Sequence, residues 1–153
     1  MHLTREGAGS VLVGVVVPDL AESLRVLVVD DDIRVANTLA QILVASGHEA
    51  IPAYSAEAAI KLAARLTPHA VISDIVMGPV SGIELANHMR EHFPNCRVLL
   101  ISGHASASDF GQKLLARSST LQFAPKPVPP DRILEFVASC RVPKSTLEPA
   151  AGS

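Results

Sequence analysis

Residues 25–35 read RVLVVDDDIRV, five residues of strand-forming character that run straight into three adjacent carboxylates. An unbroken Val/Leu run suits a strand buried on both faces. Like charges crowded at its end repel and lose solvation, so Asp30, Asp31 and Asp32 call for a compensating partner. Asp32, next to Ile33, has a local use as the cap of a following helix, where the helix dipole favours an acid.

Working outward, apolar runs alternate with helix-like stretches. Ile33, Ala36, Leu39, Ala40 and Leu43 recur with a period near 3.6, predicting a helix over 33–46 that Gly47 stops. HEAIPA (48–53) is a short second strand, and Ser55 caps an alanine-rich helix to Leu66. AVISD (70–74) is the third strand. SGIE (81–84) has capping-box spacing for a helix to His92, ended by Pro94. CRVLLIS (96–102) is the fourth strand, a weaker helix covers about 106–117, LQFA (121–124) is the fifth strand, and 131–141 is the last helix. Five strands alternating with five helices imply right-handed βα crossovers and a doubly wound parallel sheet, α/β in class.

The composition agrees. The chain has 153 residues, 48% hydrophobic but only 3% aromatic, so its core must be aliphatic. Its formal net charge is -2 with no dense basic run, which argues against direct nucleic-acid binding. VLVGVVV (11–17) is too short to span a bilayer and is halted by Pro18 and Asp19, so no membrane association is expected. Cys96 and Cys140 have neither disulfide-framework nor zinc-site spacing, and together with the absence of a signal-peptide pattern they point to the cytoplasm. The expected organisation is an extension over 1–23, flexible or loosely docked, a domain over 24–141, and a disordered tail over 142–153.

A parallel sheet presents every strand's carboxyl end at one rim. That rim collects Asp30–Asp32, Asp74 after strand three, Ser102 after strand four and Lys126 just past strand five. Ligands of open α/β sheets bind there, where strand order reverses, and the order 2-1-3-4-5 puts that point between strands one and three. Two carboxylates ~4 Å apart repel by about 4 kcal/mol at an effective dielectric near 20. A hard divalent ion answers this, and Mg²⁺ suits one or two carboxylates plus water and a phosphate oxygen. A remaining acid can then attack phosphorus, with the hydroxyl and the amine stabilising the charge that builds.

In order and spacing, VLVVDDD, VISDIVM, VLLISGH and FAPKP resemble the receiver domain of bacterial two-component response regulators over about residues 24–141. The resemblance implies the flavodoxin-like fold of the chemotaxis response regulator. It further implies Asp74 as phosphoacceptor, Asp30 and Asp31 as the acidic pair positioning Mg²⁺, and the Val76 backbone carbonyl as a further ligand. Ser102 matches the switch hydroxyl, Lys126 the paired amine and Phe123 the switching aromatic, and the Lys126–Pro127 bond matches one that is usually cis. The partners implied are a histidine kinase or histidine phosphotransfer protein and a downstream effector protein, with a homodimer through the fourth helix, fifth strand and fifth helix as an option. With no effector domain after Arg141, output is expected to pass through a partner protein, or the chain to relay phosphate onward. Such a domain is a phosphoacceptor rather than an enzyme.

MGPVSG (77–82) departs from the usual M-P-G-x-x-G by exchanging Gly78 and Pro79. With Pro125 before Lys126, this raises the alternative of a pseudo-receiver, an interaction module that no longer switches. A hydrolase of the haloacid dehalogenase type lacks its required motifs, since Asp30 and Asp32 are followed by Arg34. His88 and His92, four residues apart, have metal-ligand spacing but no third ligand in view, and they read as a solvated helix face. His104 is either a loop residue or a group that tunes loss of the phosphoryl group.

Overall fold

The computed structural model describes residues 11–12, 15–16, 23–103 and 120–141. Its core is a five-stranded parallel sheet of β3 (Arg25–Val29), β4 (Glu49–Ala53), β5 (Ala70–Asp74), β6 (Arg97–Ser102) and β7 (Leu121–Pro125). The order β4-β3-β5-β6-β7 is 2-1-3-4-5 counted within the sheet. Ahead of it, β1 (Val11–Leu12) pairs antiparallel with β2 (Val15–Val16). Four helices stand among the described residues: α1 (Ile33–Ala45), α2 (Ala56–Leu66), α3 (Gly82–His92) and α4 (Pro130–Ser139). The helix predicted over 106–117, His104 and the predicted tail over 142–153 lie outside them.

Strand side chains alternate between two buried layers, as the unbroken apolar runs require. Val26 and Val28 join Ala36, Ala40, Leu43, Ile133 and Phe136 beneath α1 and α4. Leu27 and Val29 join Ala59, Ala63, Leu85 and Met89 beneath α2 and α3. Leu27 is 0% exposed and Phe136 1%, and full burial of such side chains stabilises by about 1.5–3 kcal/mol each. The small alanines of α1 and α2 let these helices lie close to the sheet, which is how a core with so few aromatic residues closes. Both strand prolines, Pro52 in β4 and Pro125 in β7, fall on edge strands, where a missing N–H does least harm.

The helix ends follow local chemistry. Asp32 caps α1 by accepting the Arg34 N–H at 3.0 Å, and Ser55 caps α2 by accepting the Ala58 N–H at 3.0 Å. Ser81 and Glu84 form the capping box of α3, with bonds of 3.2 Å and 3.1 Å. Gly47, just past α1, has φ +97°, a left-handed conformation glycine adopts without penalty. Thr67 closes α2 with φ 44°, which its β-branched side chain disfavours. Arg25 braces that turn, its guanidinium donating to the Leu66 and Thr67 carbonyls at 2.8 and 3.0 Å. Among the described residues, no helix is long and apolar enough to cross a membrane.

Candidate functional site

The carboxyl ends of β3, β5, β6 and β7 bring Asp30, Asp74, Ser102 and Lys126 to one rim. The register aligns Asp74 with Ile101 and Ser102 with Pro125, so the hydroxyl sits one residue further along than the acid and Lys126 follows directly. Asp30 is 6% exposed, Asp74 8% and Ser102 1%, whereas Asp31 is exposed. Carboxylate oxygens of Asp30, Asp31 and Asp74 lie within 4.8 Å of one another. At that spacing each ionised pair repels by roughly 3–4 kcal/mol at an effective dielectric near 20. Asp32 has left the cluster for its cap, as its place before Ile33 suggested.

Asp30 shows the electrostatic consequence. Its pKa is raised above the usual carboxylate range, first by burial and also by the charges of Asp74 and Asp31, against the Asp32 N–H and the Lys126 ammonium. The Asp32 N–H donates to Asp30 Oδ1 at 2.8 Å. One cation already reaches the cluster: Lys126 Nζ donates to Asp74 Oδ2 at 3.1 Å. The Lys126 side chain is 44% exposed, so water still reaches the pair. The donor set is all-oxygen and anionic with an unbalanced charge, which fits a hard divalent cation and not a soft one.

The backbone around Asp74 is fixed from several sides. Ile75 N–H donates to the Ile101 carbonyl at 3.0 Å, and Gly82 N–H to the Ile75 carbonyl at 2.8 Å. A Cβ on Gly82 would lie 2.9 Å from Ile75 Cα and 3.0 Å from the Asp74 carbonyl carbon, and nearer still to the Asp74 carbonyl oxygen. Only glycine lets α3 start so close to Asp74. Ser73, absent from the sequence-based site, is fully buried and donates its hydroxyl to the Asp74 carbonyl at 2.8 Å. Its signal was a lone hydroxyl inside the otherwise apolar AVIS run, which a buried strand tolerates only with a partner.

The exchanged Gly78–Pro79 pair leaves this frame standing. Met77 is buried at 4% exposure. Gly78 lies outside the left-handed region with open space at its Cβ position, so nothing at residue 78 demands a particular side chain. Val76, the expected carbonyl ligand, stands two residues past Asp74 with its side chain turned to solvent. Phe123 is half-buried against the α2/α3 layer. The Lys126–Pro127 bond is cis, as the resemblance implied.

A family model described as the response regulator receiver domain matches residues 26–138. The response regulator protein FleR of Pseudomonas aeruginosa is 31% identical over 114 residues, covering 74% of this chain and 24% of FleR. A response regulator receiver protein of Anaeromyxobacter sp. is 32% identical over 112 residues, covering 73% of this chain and 46% of the relative. The chain therefore spans between about a quarter and a half of these relatives' length. Among solved structures, a CheY-like receiver domain protein from Methanospirillum hungatei superposes with a TM-score of 0.69 at 25% identity, covering 77% of this chain and 93% of the other. With the motifs, the sheet order and the acidic rim all in agreement, this chain belongs to the response regulator receiver domain family.

Proposed function

We propose that the domain accepts a phosphoryl group on Asp74 from a phosphohistidine of a kinase or phosphotransfer protein, and signals through a partner protein. The observation that carries this reading is the convergence on one carboxylate: Lys126 Nζ lies 3.1 Å from Asp74 Oδ2, and the oxygens of Asp30 and Asp31 lie within 4.8 Å. A solvated loop of acids would not enclose a buried carboxylate beside a lysine. The same geometry weighs against the pseudo-receiver alternative.

Asp30, Asp31 and Asp74, with the Val76 carbonyl, would hold Mg²⁺. When bound, that ion supplies positive charge to the acidic cluster and to an oxygen of the incoming phosphoryl group. The chain's own residues do the rest. An Asp74 carboxylate oxygen forms a bond to phosphorus as the phosphorus–nitrogen bond of the donor breaks, and the imidazole leaves with the electron pair of that bond. Lys126 neutralises a phosphoryl oxygen from the β7 side, and its bond to Asp74 holds the carboxylate in place beforehand. Ser102 offers a hydroxyl on the β6 side. Its capture by the phosphoryl group draws the β6 end inward and vacates space that half-buried Phe123 takes up.

Phosphorylation thereby shifts a two-state equilibrium read out on the face of β7 and α4. A full shift takes about 5.5 kcal/mol of differential stabilisation, of which charge-assisted bonds around a dianion supply a large share. The site assists only its own phosphorylation and dephosphorylation. The test is Mg²⁺-dependent binding of beryllofluoride, a phosphoryl mimic, to the native chain and to Asp74→Asn. Saturable binding abolished by the substitution is expected, whereas binding retained by the variant would move the acceptor elsewhere.

A further inference from the structure

We infer that His88 and His92 form a second metal site, on the solvent-facing side of α3, for a borderline-soft divalent ion such as Zn²⁺. The two residues are one helical turn apart, and the helix stacks their rings with centroids 4.2 Å apart and planes 24° from parallel. Two imidazoles four residues apart on one helix face can share an ion once the His88 ring turns out of the stack so that the in-plane nitrogen lone pairs converge. His92 Nδ1 lies 3.0 Å from the His88 carbonyl oxygen. A carbonyl only accepts, so Nδ1 carries the proton and Nε2 keeps its lone pair for a ligand. Metal-binding histidines are held in this manner, with the second ring nitrogen donating to a backbone carbonyl.

Among the described residues the His88 ring makes no hydrogen bond. Among the described residues no third His, Cys, Asp or Glu joins the pair within ligand-sharing distance. Water therefore completes the coordination, and affinity falls well short of a four-ligand structural site. Ligand softness separates this nitrogen pair from the acidic rim, which is all oxygen and favours Mg²⁺. An ion here staples the last turn of α3, so its binding raises the thermal midpoint of the domain.

The test is titration of the full chain with Zn²⁺ in an Asp30→Asn/Asp74→Asn background, which disables the acidic cluster. Affinity is read by calorimetry and thermal midpoint, and location by the ring-proton resonances of the histidines. Expected are one equivalent of Zn²⁺, selective shifts of the His88 and His92 rings, and at least tenfold weaker binding in His88→Ala and in His92→Ala. His92 is exposed and its replacement by alanine suits a helix, so that variant folds even if the His88 one does not. Unchanged affinity in His92→Ala, shifts at other histidines, or no Zn²⁺ binding in the background chain would each overturn the site. The phosphoryl-acceptor reading is untouched by any of these outcomes.

Discussion

Replacing Gly82 by alanine tests whether the start of α3 positions Asp74, the proposed acceptor. The added Cβ would stand 2.9 Å from Ile75 Cα and 3.0 Å from the Asp74 carbonyl carbon, where ordinary contact needs at least 3.4 Å. The nearer carbonyl oxygen demands a larger retreat, so the Asp74 peptide or the whole helix start must move by about 1 Å. Forced overpacking of this kind costs about 1–3 kcal/mol. Stretching the 2.8 Å bond from Gly82 N–H to the Ile75 carbonyl adds about 1 kcal/mol. The better helix propensity of alanine offsets at most about 1 kcal/mol, leaving a net loss of roughly 1–3 kcal/mol in urea unfolding. Because Asp74 rides on the displaced peptide, a shift of about 1 Å also slows phosphorylation by acetyl phosphate by up to about 100-fold. Gly78→Ala is the control. Nothing lies within 4 Å of its Cβ position and its φ is not left-handed, so that variant should gain about 0.4–1 kcal/mol through the unfolded chain and keep the native rate. Equal stability and equal rate in the two variants would refute the claim that α3 is seated on Asp74.

Asp30→Asn removes a buried charge whose pKa is raised by burial and by the Asp74 and Asp31 charges. Because the folded pKa of this acid lies above its unfolded one, its ionisation destabilises the metal-free domain as pH rises past the ordinary carboxylate range. The variant should therefore unfold at higher urea than the native chain at pH 7 without metal, and lose Mg²⁺ affinity; a lowered midpoint would contradict the electrostatic account. His48 accepts the Leu24 N–H through Nδ1 at 3.3 Å, and burial together with Arg141 lowers its pKa. Its contribution is thus present above the unfolded histidine pKa of about 6.5 and is lost as pH falls below it. His48→Asn, which keeps an acceptor but no titration, should show a smaller drop in unfolding free energy between pH 7.5 and 5, and an unchanged drop would rule His48 out. Thr67→Gly relieves the left-handed φ of 44° and keeps the Arg25 bonds to the Leu66 and Thr67 carbonyls, but it removes the Thr67 hydroxyl, which accepts from Arg25 at 3.4 Å and donates to the Leu66 carbonyl at 2.6 Å. Relief of about 1–2 kcal/mol of strain outweighs these exposed bonds, so stability in thermal or urea unfolding should stay level or rise by up to about 1 kcal/mol. A loss of stability would mean the turn is not strained.

Much of this molecule is written in local chemistry. The 3.6-residue period of Ile33, Ala36, Ala40 and Leu43, the caps Asp32, Ser55 and Ser81, the stop at Gly47 and the unbroken runs of β3, β5 and β6 each depend on a few neighbouring residues, so the sequence alone sufficed to place the strands of the five-stranded sheet and the described helices in order, though not the short β1–β2 pair ahead of them. The acid at the end of each of two buried strands, with a serine and a lysine at two more, was enough to nominate the rim. What sequence could not supply is how groups far apart in the chain meet. The 3.1 Å bond from Lys126 to Asp74 joins residues 52 positions apart, and the contact of Gly82 with the Asp74 carbonyl depends on the angle at which α3 leaves the sheet. The tautomer of His92, the strained turn at Thr67 and the hydroxyl of Ser73 turned onto the next carbonyl are likewise settled by packing. Periodicity and capping are short-range preferences carried by every copy of a motif, whereas distance, burial and the sign of a pKa shift arise only when separate strands and helices close on one another.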